Sequence, residues 1–537
     1  MVDIKRSLPR FDVKFKILSK HIEGKGVNIS QKGFGVITEK KLLSSQDIYF
    51  DAEVHGFIFS EKVYSIKGKA RLLHSKKSKK YMDTYYNGFK IIELDNESGS
   101  QLYELLEDIR KFQKSPFSDI KNKSLANFFY YPSDDIFYKA GIFYNAMNQD
   151  DNESFEMFSY FLDSPNSTTS KIINKNSNAS KEMIMMGSNN YLGLTTHPDV
   201  IKAGVESLNK YGTGNGAGAM VGGTLAIHKK LEEELSDFIG KEAVMIFNSG
   251  YSTNVGTISG LLRAQDVVVI DQMSHASIYD GCSLCSAKTL VFAHNDAKSL
   301  EKVIKRVRFT YNGVLIVVDG IYSTDGTIAP LDDIVKIAKN YCARVMVDEA
   351  HGFGILGKKG VGAAEHFDLI DKIDIIMGTM SKSLAGVGGF VASSKDVIEY
   401  LRFYAHSYLF STNIPPSVAG SILKSLQLLR DDKSIRERLH ANINYFKNRL
   451  LDMKLNIGNP RAAVIPLYIP DINLLLRVSS KLFEKGLFHN VMAYPAVPLG
   501  GSLLRFGIMA THSENELKRA CDIIEEAAIE EKLILTV

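Results

Sequence analysis

Long apolar runs are missing from this chain of 537 residues. No stretch approaches the roughly 18 consecutive apolar residues that a membrane-spanning helix needs, so no span is expected. The opening residues Met1-Val2-Asp3-Ile4-Lys5-Arg6 lead into no apolar segment of the secretory kind, and a cytoplasmic location is the expectation. Cysteine is scarce, and four residues do not suggest a disulfide scaffold. Cys282 and Cys285 form one Cys-x-x-Cys with no second pair to complete a zinc site. They read as core or cofactor-neighbouring residues, and no metal is expected. Charge of one sign is also in short supply: a net +4 gives no case for nucleic acid as the main partner. What is present, 45% hydrophobic residues over a length greater than one core supports, fits a globular protein of two or three domains.

From Met183 onward the pattern is strand, turn, helix, repeated. Apolar runs at 244–248, 267–271, 289–294, 314–319, 345–348 and 373–377 predict strands, with helical stretches at 228–239, 297–307 and 331–341 between them. That alternation predicts a mostly parallel sheet covered on both faces, over residues 183–415. After Pro415-Pro416 come long helices and then strands near 464–469 and 503–508, read as a smaller α+β domain over 416–537. Residues 113–182 read as a linker and helical segment: aromatics cluster at 128–161, and the Ser-, Asn- and Thr-rich stretch 163–181 reads as a mobile loop.

Two strand ends carry the chemistry. Gly378-Thr379-Met380-Ser381-Lys382-Ser383 follows the run ending at Met377 and precedes a glycine-rich turn, Gly386-Val387-Gly388-Gly389. A lysine there, beside two hydroxyls and open backbone, can hold an aldehyde cofactor by its amine and a phosphate by its neighbours. Val345-Met346-Val347-Asp348-Glu349-Ala350-His351 supplies the carboxylate that a protonated pyridine ring needs. Lys382 alone could be a surface lysine. With Asp348 on a second strand end, the pair points to pyridoxal phosphate (PLP).

With these residues in place, the region 183–537 resembles the α-oxoamine synthases, fold-type I PLP-dependent enzymes. The matching stretches are Ser188-Asn189-Asn190-Tyr191-Leu192-Gly193, Ser249-Gly250-Tyr251, Ser274-His275-Ala276-Ser277, Tyr322-Ser323-Thr324-Asp325-Gly326, Asp348-Glu349-Ala350-His351 and Gly378-Thr379-Met380-Ser381-Lys382. The resemblance implies that Lys382 carries PLP through a Schiff base and then acts as general base, and that Asp348 pairs with the ring nitrogen. It places His351 at the phenolic oxygen, His275 stacked on the ring, and Ser323 at the ring or its oxygen. Gly250, Tyr251, Thr379 and Ser381 hold the phosphate, joined by Thr412 of the other subunit in a homodimer. Arg505 and Asn189 bind the substrate carboxylate. Many family members carry Arg where Met220 stands here, on the acyl-CoA side.

The first 112 residues differ. Strand-like segments at 11–18, 33–37, 47–54, 67–73 and 85–92, closed by a helical stretch at 100–112, predict a small antiparallel β-barrel. Arg6-Ser7-Leu8-Pro9-Arg10 and Asn28-Ile29-Ser30-Gln31-Lys32-Gly33 match Arg-x-x-x-Arg and Asn-x-Ser-x-x-Gly. This resembles the PilZ domain and implies cyclic di-GMP bound by Arg6, Arg10, Asn28, Ser30 and Gly33.

The expectation for the whole chain is a decarboxylating condensation of an amino acid, serine first, with a long-chain acyl-CoA or acyl-carrier thioester, regulated by cyclic di-GMP. Peripheral membrane contact goes with such a substrate. The alternatives are a short-chain α-oxoamine synthase, an aminotransferase (against which His275 argues), and a cyclic di-GMP receptor with a silent transferase domain.

Overall fold

The computed structural model describes residues 11–19, 22–30, 33–38, 42, 47–55, 63–77, 85–113, 135–147, 160–175, 178–494, 496–498 and 500–534. The chain divides into two compact units, Met1–Phe158 and Ser159–Val537.

In the first unit, strands β1 (Phe11–Ser19), β2 (Ile22–Ser30), β3 (Gly33–Thr38), β4 (Asp47–His55), β5 (Val63–Lys77) and β6 (Tyr85–Leu94) pair in the order β1-β2-β3-β6-β5-β4. All pairs are antiparallel, and β4 returns to β1 through Lys16↔Glu53 to Leu18↔Asp51, closing a barrel with no free edge. Its interior holds Phe34, Val36, Phe50, Ile66 and Phe89, with Phe34 stacked on Phe89 at 5.2 Å between centroids. The helix Asn96–Gln113 adds Leu102, Leu105 and Leu106 to the same core. Asn28 and Ser30, expected in a turn, lie on β2, where Ser30 pairs with Gly33 at the start of β3. Gly24 and Gly26 break the apolar alternation of β2, and its register shifts between Gly26 and Asn28, so the strand leaves little trace in composition. Arg6 and Arg10 lie outside the described residues.

The second unit opens with β7 (Tyr160–Leu162), β8 (Thr169–Asn174) and β9 (Ser180–Met185). The stretch read as a mobile loop therefore contains the strand β8 and the first residues of β9. Ile172, Met183 and Met185 point into a small core with Met509. The large sheet comprises β10 (Ala243–Phe247), β11 (Val267–Asp271), β12 (Lys288–Phe292), β13 (Val314–Asp319), β14 (Arg344–Asp348), β15 (Ile375–Thr379) and β16 (Gly389–Ser393). Its order is β10-β16-β15-β14-β13-β11-β12, parallel except for β16. Burial on both faces explains the continuous apolar runs of its central strands. The strand β16, not expected from the sequence, starts at the last residue of the expected glycine-rich turn. It packs the Phe390 ring against Gly378, where any side chain would collide.

Further on, β17 (Val464–Tyr468), β19 (Asn490–Met492) and β20 (Leu503–Gly507) form a three-stranded antiparallel sheet in the order β17-β20-β19. The strand β18 (Leu487–Phe488) joins β9 in parallel through Leu487↔Ile184 and Phe488↔Met185. Chain from before residue 183 thus completes the C-terminal layer, which the expected boundary at 182/183 had separated.

Glu349 fastens the end of β14. Its backbone N–H donates to Met377 O on β15, and its carboxylate accepts from Ala363 N (2.9 Å) and Ala364 N (2.8 Å). Gly320, Gly352 and Gly362 enclose that carboxylate so closely that a methyl group on any of them would strike it. Burial, with the nearby Asp348 charge, pushes Glu349 up to about 7 against the two N–H donors. A folded pKa above the unfolded 4.5 means the associated stability is full below pH 4.5 and lost as pH rises through 7. The wild type should therefore lose roughly 3 kcal/mol relative to Glu349→Gln across that window. Urea unfolding at a series of pH values reads this directly, and parallel pH profiles for the two proteins would contradict the burial.

Candidate active site

The parallel strands deliver their polar residues to one edge of the sheet, the edge at which open α/β sheets bind ligands. Asp319 ends β13 and pairs in register with Asp348 at the end of β14; Thr379 ends β15. Asp348 is 3% exposed. Its Oδ1 accepts from Ala350 N at 2.8 Å and its Oδ2 from Asn254 Nδ2 at 2.7 Å. Both donors are neutral, and among the described residues it forms no ion pair. A buried anion held only by neutral donors fits a site that takes a cationic ring nitrogen.

Lys382 keeps some surface exposure, but its amine is packed round by protein. Burial lowers its pKa to about 7 against the opposing pull of Asp348, with Arg505 adding to the depression. Beside it Thr379 Oγ1 and Ser381 Oγ lie 2.8 Å apart, and Thr379 Oγ1 donates to Gly388 O at 3.1 Å. The helix Gly250–Leu261 begins against Thr379: a side chain at Gly250 would meet Thr379 Oγ1. Ser249 caps that helix through Ser252 N. The first N–H groups of a helix have no partner within it, so Gly250 and Tyr251 with two hydroxyls make an anion cradle. Tyr251 is half-exposed and its hydroxyl donates to Asp280.

His275 caps the helix Ala276–Leu284 and keeps surface exposure as a residue, while its imidazole is packed against protein. Its Nδ1 accepts from Ser277 N at 3.3 Å and faces Ser277 Oγ at 2.8 Å, while Ser277 Oγ accepts from Asn254 Nδ2 at 2.9 Å. Asp348, Asn254, Ser277 and His275 thus form one hydrogen-bonded chain. With Nδ1 an acceptor, the proton of a neutral ring sits on Nε2. Burial lowers the pKa of His275 and keeps it neutral, Asp348 opposing. Asp319 Oδ2 accepts from His275 N at 3.2 Å. Burial and the Asp348 charge hold Asp319 well above the usual carboxylate range.

A second network faces the C-terminal layer. Tyr191 Oη and His351 Nδ1 are 2.7 Å apart, and Tyr191 Oη donates to Asn189 Oδ1 at 3.0 Å. Arg505 Nη2, from β20, donates to Asn189 Oδ1 at 2.8 Å. Arg505 is 7% exposed, and its Nε is buried without a partner. Burial, with the Lys382 charge, holds His351 well below its ordinary pKa; burial pushes Tyr191 up to about 12 despite Arg505.

Ser323 is half-buried in the turn after β13. Thr412 is exposed and forms an isolated antiparallel bridge with Gly218, next to the short helix Ala219–Val221 that carries Met220. Cys282 is buried and Cys285 Sγ contacts Cys282 O at 3.1 Å, which suits core residues. Sequence reasoning assigned no role to Asn254, Ser277, Asp319 or Tyr191. Asp319 could have been found, since its run ends in a carboxylate just as that of Asp348 does.

This sheet, with a lysine, a carboxylate, a helix-end anion cradle and an imidazole gathered at one edge, defines a fold-type I PLP-dependent transferase. Residues 181–524 match the family model for aminotransferase class I and II, and the chain belongs to that family. It is 41% identical over 354 residues to serine palmitoyltransferase from Sphingobacterium spiritivorum, covering 65% of this chain and 88% of that one. It is 40% identical over 354 residues to 8-amino-7-oxononanoate synthase from Treponema denticola, covering 66% and 90%. A solved structure of SPT with PLP internal aldimine superposes with a TM-score of 0.70 at 34% identity, over 74% of this chain and 100% of that one. Within the class, the chain is an α-oxoamine synthase, a PLP-dependent C-acyltransferase.

The depressed pKa of Lys382 sets a pH dependence. Only the neutral amine attacks the cofactor aldehyde. The rate of PLP attachment to cofactor-free protein should therefore rise with a midpoint near pH 7, against 10.5 for an unburied lysine. Lys382→Ala should remain folded and form no borohydride-reducible bond to PLP. A rate still climbing above pH 9 would mean the amine is not buried as described.

Proposed function

We propose that this enzyme condenses serine with a long-chain acyl thioester, releasing carbon dioxide, and that cyclic di-GMP regulates it through the N-terminal unit. The observation that carries the amino-acid half is Arg505: a buried guanidinium whose Nε has no protein partner, beside Asn189, is a receptor for a carboxylate. Bound PLP supplies an electron sink for charge developing at the substrate α-carbon. Lys382, half-neutral near pH 7, takes the α-proton at Nζ. His275 offers its Nε2–H to the carboxylate or to the thioester oxygen. Asp348 would hold the ring nitrogen and His351 the phenolic oxygen, with Ser323 near the ring. Gly250, Tyr251, Thr379 and Ser381 would hold the phosphate, with Thr412 reaching across from the other subunit of a homodimer.

Similarity to serine palmitoyltransferase supports serine and a long chain, and the nearly equal identity to 8-amino-7-oxononanoate synthase supports a shorter-chain reading. Each buried methylene contributes about 0.8 kcal/mol, so a site for a long chain gains specificity steadily from C8 to C16 thioesters. We expect that gain with serine as the best amino acid among serine, alanine and glycine. A plateau at or below C8, or serine performing worst, selects the shorter-chain synthase.

For the N-terminal unit, the support is the Arg6 and Arg10 pair with Asn28, Ser30 and Gly33 at the β2–β3 junction of the barrel. A charge-assisted contact to phosphate is worth on the order of 1.5–3 kcal/mol, so Arg10→Ala should weaken cyclic di-GMP binding to the full chain about tenfold or more. Equal calorimetric affinity for variant and wild type would remove these residues from any such site.

A further inference from the structure

At the end of β11 the Asp271 carboxylate is fully buried, and it serves more than its own strand. Its Oδ1 accepts from Met273 N at 2.7 Å and meets His294 Nδ1 at 2.9 Å, and its Oδ2 accepts from Asn295 N at 2.8 Å. Across the imidazole, His294 Nε2 lies 3.5 Å from Asp325 Oδ2 and 3.3 Å from Thr327 Oγ1. Asp325 Oδ1 accepts from Thr327 N at 3.0 Å and from Thr327 Oγ1 at 2.8 Å. The rings of His294 and Tyr322 meet edge-on, with centroids 4.4 Å apart. Asp271 begins the short loop that ends at His275. Asp325 sits in the turn that carries Ser323, which is closed by Tyr322 N to Thr327 O at 3.0 Å. One ring therefore joins two segments that flank the site and are distant in sequence.

We propose that His294 is a positioning residue, a doubly hydrogen-bonded imidazolium that fixes the loop carrying His275 against the turn carrying Ser323. A neutral imidazole has one N–H. With that proton on Nδ1 toward Asp271, a bare Nε2 would turn its lone pair toward the Asp325 carboxylate. A second proton converts this repulsion into a charge-assisted contact. Asn295 Nδ2 lies 3.3 Å from Nε2 and donates to Thr327 Oγ1 at 3.2 Å, which ties the same loop to the turn beside the ring. The titratable groups facing the ring are Asp271 from β11, and Asp325 and Tyr322 from the turn after β13. Tyr279 lies in the field of Asp271 and Tyr468 in that of Asp325; burial first, then those fields, pushes each up to about 12, so both stay neutral. Burial opposes the charge on His294, but the hydrogen bonds and fields of Asp271 and Asp325 outweigh it and push its pKa up to about 9.

The inference rests on where His275 and Ser323 stand, and its readouts do not depend on which amino acid or acyl chain is used. The test compares PLP-loaded wild type, His294→Ala and Asp325→Asn by hydrogen–deuterium exchange, with Cε1 NMR titration of histidine-labelled protein. In His294→Ala, protection over 272–277 and over 322–327 should fall together, by about tenfold or more, while β14 keeps its protection. In the wild type the resonance missing from His294→Ala should titrate near pH 9, and in Asp325→Asn it should move toward the ordinary 6.5. Unchanged protection in both segments, loosening of only one, or equal loss in β14 overturns the proposal. So does a His294 ring titrating at or below 6.5. Should His294→Ala fail to fold, Asp325→Asn decides alone: looser 322–327 with a lowered ring pKa supports the clamp, and no change in either refutes it.

Discussion

A buried carboxylate held by neutral donors is the condition to which the rest of the catalytic unit answers. Asp348 accepts from Ala350 N and Asn254 Nδ2 and forms no ion pair among the described residues. That charge raises Asp319 on the next strand and supports Lys382 against burial. It reaches His275 through Asn254 and Ser277, whose hydrogen bonds also decide which imidazole nitrogen carries the proton. A cationic cofactor ring would complete this arrangement. Removing the anion would leave four separate groups with nothing to organise them.

Protonation states follow from the same geometry. Burial keeps His275 and His351 neutral and lowers Lys382 to about 7, whereas Arg505 is a guanidinium and stays charged under any ordinary condition. The site therefore presents one fixed cation, one amine that can gain or lose a proton near neutrality, and neutral rings whose N–H groups can be aimed. Fixed and exchangeable charges lie on different layers, Arg505 on β20 and Lys382 just beyond β15.

The large sheet was legible because its central strands are buried on both faces, leaving uninterrupted apolar runs that stop at polar residues. Asp348 and Lys382 are visible for that reason. The strands β2, β8, β9 and β16 were hidden by glycine, serine and asparagine, whose composition suggests turns even where neighbours such as Ile172, Met183 and Phe390 bury a face. Of the site, the residues within motifs could be named from sequence. Asn254, Ser277 and Tyr191 act through partners 94, 23 and 160 residues away in the chain, and no local pattern encodes such a contact.

The loop that carries Met220 obeys a different constraint. Asn215 Nδ2 donates to Asn413 O (2.9 Å) and Ile414 O (3.0 Å), and Ala219 N donates to Ser411 O at 3.2 Å. With the Gly218–Thr412 bridge, these bonds make the glycine-rich loop and the Thr412 segment one mechanical piece. Met220 rides on that piece, its side chain packed against the apolar layer that contains Ala219, Phe247 and Tyr408. An arginine there would bring a charge suited to a phosphate; a thioether brings only adaptable apolar surface.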